Sequence, residues 1–137
     1  MEKTLGYDWE YGHEELEIRV STYLYENHLF IGLHQMEDGE PFGDLTVNLP
    51  LSRLEYNEAY IDNFDAENKL KFIRKHRLGE VLPEKGHSGY CEYYKVAFDM
   101  ERLQELDPDG VEQYRKRRGM EKKQQTQKKR KKNQIER

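Results

Sequence analysis

Apolar residues recur at every second position over residues 15–25. Leu16, Ile18, Val20, Thr22 and Leu24 fall on one face of an extended chain; Glu15, Glu17, Arg19, Ser21 and Tyr23 fall on the other. A period of two does not fit a helix of 3.6 residues per turn, so this segment is predicted to be a half-buried β-strand. The same period returns at Leu29, Ile31 and Leu33, and again at Leu45, Val47 and Leu49. Asn27-His28 separates the first two runs. Glu37-Asp38-Gly39-Glu40 separates the next two, with Asp-Gly supplying the positive φ of a tight hairpin. The pattern predicts a three-stranded antiparallel meander. Residues 7–11 are expected to add an edge strand, with Trp9 packing across it.

Helical spacing begins at Asp65, which is expected to act as an N-cap. Ala66, Leu70 and Ile73 lie at i, i+4 and i+7, and Lys75, His76 and Arg77 complement the dipole of the last turn. Gly79 reads as the C-cap glycine and Pro83 as the stop. Lys69, Lys71, Arg74 and Lys75 are assigned to the outward face. Ala59-Tyr60-Ile61 and residues 90–98 read as further strands, the latter with Tyr94, Val96 and Phe98 on one face. Asp99 caps a short helix carrying Leu103 and Leu106, which Pro108 and Gly110 interrupt. The expected fold is α+β: an antiparallel sheet of five to six strands, one face covered by one or two helices, the other partly wet.

At Gly110 the composition changes. Of the apolar residues, only Val111, Tyr114, Met120 and Ile135 lie beyond it. Residues 1–110 hold 24 Asp/Glu against 11 Lys/Arg, a net of −13, and residues 111–137 hold 3 against 12, a net of +9. The expected organisation is an acidic α+β domain over 1–110 and a basic polar tail over 111–137, helical or disordered. Blocks of opposite charge mark interaction surfaces or solvated tails rather than fold determinants. Cys91 is the only cysteine, so no internal disulfide forms, which fits a reducing compartment. No apolar run resembles a signal peptide or approaches the roughly 20 residues of a membrane span. A cytoplasmic protein without membrane contact is expected.

The tail carries the densest candidate chemistry. Lys116, Arg117, Arg118, Lys122, Lys129, Arg130 and Lys131 are expected to contact phosphates of DNA or RNA, or an acidic protein surface. A solvated tail, or one folded back on the acidic domain, is the plainer alternative. The acidic domain has the charge of a phosphate array, which would suit a decoy for the basic groove of a nuclease or nucleic-acid-binding protein. Glu15, Glu17, Tyr23, Tyr25 and Tyr93 are the expected acidic and aromatic contacts, tyrosine being good interface material. The histidines show no metal-ligand spacing, and Asp38, Glu40 and Asp44 lack the EF-hand pattern, so neither metal nor cofactor is expected. Glu14-Glu15 beside His13 could place an acid and a base together, but these residues more simply flank a turn. Gly86-His87-Ser88-Gly89 has no nucleophile elbow or P-loop around it and reads as a loop. No catalytic residue is assigned.

YDWEYGHEELEIRV (7–20), DGEPFGDLTVNL (38–49), NEAYIDN (57–63), LGE (78–80) and SGYCEYYKVAFD (88–99) occur in this order. Together they resemble an uncharacterised family, the domain of unknown function numbered 4313, over about residues 4–106. The resemblance implies a setting on plasmids and other bacterial mobile DNA, and supplies no catalytic residues. By analogy with small acidic proteins of such elements, it implies an anti-CRISPR or anti-restriction inhibitor. The expected function is thus a non-enzymatic interaction protein binding a nucleic-acid-processing protein. The alternative is a nucleic-acid-binding accessory factor acting through the tail.

Overall fold

The computed structural model describes residues 4–24, 26–50 and 53–119. Two of the three alternating segments form strands of one sheet as expected; the third, Leu45, Val47 and Leu49, does not, because Pro41–Asp44 pairs beside the second and Thr46–Val47 turns into another sheet. Strands β1 (Leu5–Trp9), β2 (Gly12–Thr22), β3 (Leu29–Gln35) and β4 (Pro41–Asp44) make an antiparallel sheet in the order β1-β2-β3-β4. Leu5, Tyr7, Leu16, Ile18, Val20, Leu29, Ile31 and Leu33 are buried on one side of it. The Asp-Gly turn joins β3 to β4 with Gly39 at φ +73°. Leu24 departs from its expected inward position and is 92% exposed. The strand stops at Thr22, and the loop turns through left-handed Glu26 and Asn27.

A second antiparallel sheet corrects the expectation of one sheet of five to six strands. It contains β5 (Thr46–Val47), β6 (Glu58–Ile61), β7 (Gly79–Ser88) and β8 (Cys91–Phe98), in the order β5-β6-β8-β7. The sheets meet at Leu45. Its N–H donates to the Ile31 carbonyl at 2.9 Å, and its carbonyl accepts from the Asp62 N–H at 3.1 Å. Thr46 Oγ1 takes the Ile31 N–H at 3.1 Å, so a side chain completes the ladder where the strand bends away. Strand β7 contains Pro83, which the sequence reading took as a stop. A proline is tolerated on an edge strand, and the register shifts between Val81 and Lys85 around it. His87 and Ser88, expected in a loop, belong to this strand, and the turn falls at Gly89 with φ +61°.

Strands β6 and β7 are both antiparallel to β8 and hence parallel to each other. Their connection needs a crossover, which helix α1 (Ala66–Lys75) supplies. Its ends differ from expectation. Asp65 sits at φ +57° and makes no side-chain cap. Its carboxylate instead accepts from the Tyr7 hydroxyl at 2.5 Å and from Asn68 Nδ2 at 2.9 Å, tying α1 to β1. Arg77, not Gly79, is the left-handed residue after the helix, at φ +58°. The Leu78 N–H reaches back to the Ile73 carbonyl at 2.9 Å, a Schellman closure. Gly79 is required for another reason: a Cβ there would lie 2.5 Å from the Ala97 carbonyl oxygen. Lys69 is buried rather than outward. Its ammonium lies 3.6 Å from Asp62 and 5.6 Å from the Phe64 ring centroid.

Helix α2 (Met100–Leu106) is capped as expected, the Asp99 carboxylate accepting from the Glu101 and Arg102 N–H groups. Helix α3 (108–119) follows after one residue. Gly110 therefore lies within a helix, and the core continues past it: Val111 and Tyr114 are fully buried. The Tyr114 ring stacks on Tyr56 with centroids 5.2 Å apart, and its hydroxyl donates to the Tyr56 carbonyl. Asp107 joins three elements. One carboxylate oxygen accepts the Gly110 N–H at 3.2 Å and caps α3. The other accepts the Val20 N–H at 2.8 Å, on the stretch of β2 that extends beyond its pairing with β1.

Candidate interaction face

The period that buries one side of the first sheet exposes the other. Register places Asp8 opposite His13, Glu17 opposite His34, Arg19 opposite Gly32, and Gly32 opposite Asp44 on the outer face. Asp8, His13, Glu15, Arg19 and Asp44 are exposed, and Glu17 is half-buried. Helix α1 packs from the opposite side, where Phe72 lies 5.4 Å from Tyr7. From Leu5 to Asp44 the chain carries ten Asp/Glu and a single Lys/Arg, Arg19. Residues 66–119 hold ten against twelve. The negative charge is thus concentrated on the first sheet and its turns.

His13 is clamped on this face. Its Nδ1 lies 2.6 Å from Asp8 Oδ1 and its Nε2 2.8 Å from Glu15 Oε2. The ring stands over Gly6, where a Cβ would come within 2.7 Å of Cε1. Ionised carboxylates only accept, so two such partners favour an imidazole protonated on both nitrogens. The hydrogen bonds to Asp8 and then Glu15 raise the His13 pKa above its ordinary 6.5, and the bond to His13 holds Asp8 below 3.8. A raised folded pKa means that the stabilisation is fully present below the unfolded value and is lost as pH rises through the folded one. In an NMR titration, His13 should therefore titrate above the reference value, and Glu15→Gln should bring its midpoint down.

At the end of the sheet where Tyr11 turns the chain, aromatic rings gather. Trp9 lies 4.9 Å from Tyr11 and 5.1 Å from Phe42, both edge-on. Tyr11 is 76% exposed. Trp9 Nε1 is the one buried side-chain polar atom without a hydrogen-bond partner among the described residues. The sequence reading placed Trp9 on its edge strand but passed over Tyr11 as a contact. Its position between Glu10 and Gly12, in a turn, was the available signal.

The expected acidic and aromatic residues do not form one face. Glu15 and Glu17 share the outer side of the first sheet, while Tyr93 is half-buried on β8 opposite Gly86. Tyr23 is engaged at the junction of the sheets: its hydroxyl is 3.1 Å from Thr46 Oγ1, and burial pushes its pKa up to about 12. Tyr25 lies outside the described residues. Of the expected basic contacts, Lys116 and Arg117 are exposed on α3 and Arg118 is half-exposed. Lys116 is 3.4 Å from Glu112, while the neighbouring Arg115 donates to the Tyr56 hydroxyl at 3.0 Å. Lys122, Lys129, Arg130 and Lys131 lie outside the described residues.

Other polar recesses do not assemble a reactive centre. A hollow of about 450 Å³ beside the end of α1 is lined by Lys75, His76, Arg77 and Arg102, and equally by Asp99, Glu101 and Glu105. Arg102 is committed to the His76 carbonyl and to Glu105. His87 is exposed and 3.7 Å from Glu92 across the hairpin. No cluster of three or more His, Cys, Asp or Glu able to hold a metal occurs among the described residues. None of the described helices is long and apolar enough to cross a membrane.

These features define a small α+β protein with two joined antiparallel sheets, one bearing an acidic outer face. The chain belongs to the family of the domain of unknown function DUF4313, whose model matches residues 17–118. That match ends within α3, beyond the change of composition at Gly110. No curated protein and no solved structure matches the chain.

Proposed function

We propose that this protein is a non-enzymatic interaction protein of a bacterial mobile element, acting in the cytoplasm. Its acidic sheet face would occupy the basic surface of a nuclease or another nucleic-acid-binding protein, as an anti-CRISPR or anti-restriction inhibitor does. One observation carries this reading: ten Asp/Glu against one Lys/Arg in the first sheet and its turns, with Asp8, Glu15 and Asp44 exposed on the outer face. Glu15 and Glu17, at alternate positions of β2, stand about 6.8 Å apart on the outer face, negative charge that a cationic groove could engage. Long-range attraction of this kind accelerates encounter and weakens with salt. The test is capture from a nuclease-treated bacterial lysate, so that bridging nucleic acid does not count. Wild-type protein should enrich a nucleic-acid-processing protein, and Glu15→Lys with Glu17→Lys should lose it. Failure to enrich any such protein would sink the proposal.

A second reading, nucleic-acid binding through the basic residues, is favoured by the exposure of Lys116 and Arg117 where α3 leads into the cation-rich segment. It requires log affinity for duplex DNA to fall with log salt, with a slope of about −0.9 per phosphate neutralised.

A further inference from the structure

We propose that the turn joining β1 to β2 is an arginine-binding shelf, where a guanidinium of a basic protein partner stacks on Tyr11 and is held by Glu10 and Glu14. This rests on the reading that the first sheet receives a basic protein, and it adds where that protein is gripped and by which side chain. Trp9 and Gly12 stand opposite each other in the register, so Glu10 and Tyr11 make a two-residue turn. Trp9 is half-buried against Phe42 and meets the Tyr11 ring edge-on, with centroids 4.9 Å apart and planes at 75°. Tyr11 is nevertheless 76% exposed. A ring braced by a neighbour and otherwise bare has little freedom left to lose on binding, which suits an interface anchor.

The surroundings of the ring select a cation. Glu10 is exposed in the turn itself. Glu14 is half-buried and stands opposite Tyr7, so it shares the side of the sheet that carries Tyr7 and Trp9. The paired part of β3 ends opposite Leu16 and does not reach it. Asp8 is engaged by His13 and Lys75, and Glu15 by His13. The carboxylates of Glu10 and Glu14, by contrast, have no ion pair or hydrogen bond among the described residues. There is also room. A Cβ on Gly12, opposite Trp9, or on Gly43, beside Phe42, would meet nothing within 4 Å. A guanidinium answers all of these features. Its plane stacks on an aromatic face, its fork of donors pairs with carboxylates, and it sheds water more readily than an ammonium. A nucleic acid is repelled by the same two carboxylates.

Trp9 is the chain's single tryptophan. Its emission, excited beyond the tyrosine band, therefore reports on this turn and is blind to cations bound elsewhere on the acidic chain. Titrating the full chain with tetra-arginine amide at low salt should change that emission saturably. Tetralysine amide should bind at least about three-fold more weakly, because an ammonium neither stacks nor forks. Tetracitrulline amide, similar in shape but uncharged, should leave the emission unchanged. Tyr11→Ala should weaken tetra-arginine binding about three- to five-fold, with the urea midpoint kept, and Tyr11→Phe should bind as wild type does. Glu10→Gln with Glu14→Gln should weaken it at least about three-fold. An emission that ignores tetra-arginine overturns the proposal. So does an equal affinity for tetralysine, or unchanged binding in Tyr11→Ala. If the shelf behaves as expected while lysate capture retrieves no nucleic-acid-processing protein, the shelf stands and the partner reading falls. If capture succeeds while Trp9 stays silent, the partner reading stands and the shelf falls.

Discussion

Tyr114→Ala should lower the unfolding free energy by about 3–5 kcal/mol, the range for removing a fully buried aromatic ring. Tyr114 is 0% exposed, stacks on Tyr56 and donates its hydroxyl to the Tyr56 carbonyl. It lies in a segment whose composition is that of a solvated tail, so the result separates the two descriptions sharply. Urea denaturation measures it. A domain of this kind has only about 5–15 kcal/mol in total, so the variant should be partly unfolded at moderate denaturant. Tyr114→Phe keeps the ring and loses the hydrogen bond, and should cost about 1–2 kcal/mol. Arg117→Ala, three positions on and exposed, should change stability by less than about 0.5 kcal/mol. A Tyr114→Ala protein within about 1 kcal/mol of wild type would place α3 outside the folded core.

Asp107→Ala should cost about 2–3 kcal/mol, combining a lost helix cap with a partly buried N–H left without its acceptor. The carboxylate serves Gly110 at the start of α3 and Val20 on β2. Asp107→Asn retains an acceptor and should lose less than half as much, since asparagine caps nearly as well as aspartate. Amide hydrogen exchange distinguishes the two contributions. In the alanine variant the Val20 amide should exchange faster, while Arg19, whose amide faces β3, keeps most of its protection. Equal stability of the alanine variant and wild type would show that this junction carries no net energy.

The first sheet was legible because its signal is local. Alternation at Leu16, Ile18 and Val20 and at Leu29, Ile31 and Leu33, with Asp-Gly between β3 and β4, specifies strands, faces and turn together. The second sheet was not, because β7 is an edge strand. Its Glu80, Pro83, Glu84 and Lys85 need neither alternate nor avoid proline when one side has no strand to pair with. Lys69 fell on the wrong side of α1 because its charge was read without Asp62 and Phe64, which only the fold brings beside it. The start of α3 did carry a signal. Asp107-Pro108 is an N-cap followed by proline at the first helical position, a favoured way to begin a helix. The run of cations beyond Gly110 outweighed that signal and obscured the spacing of Val111 and Tyr114.

The candidate face was legible as charge and not as geometry. Glu15 and Glu17 were assigned outward by their period, and both stand on the outer side. The sequence put His13 beside Glu14-Glu15 as a possible acid–base pair and a turn was preferred; the partner it did not supply is Asp8. The clamp needs Asp8 from β1 and Glu15 from β2 in antiparallel register, with Gly6 leaving room beneath the ring. Tyr23 was read as a contact for a partner because alternation places it outward, yet the bend at Leu45 brings Thr46 to its hydroxyl.

That bend also determines how the molecule can come apart. Leu45 donates to a residue of the first sheet and accepts from the chain that runs out of β6 in the second. Peeling the sheets from one another cannot begin at a weak seam between them, because the seam is a continuous piece of backbone bonded on both sides. Val111 and Tyr114 belong to the same buried cluster as the inner residues of both sheets. The two sheets and the C-terminal helix should therefore unfold in one transition, with fluorescence and circular dichroism giving the same midpoint in urea.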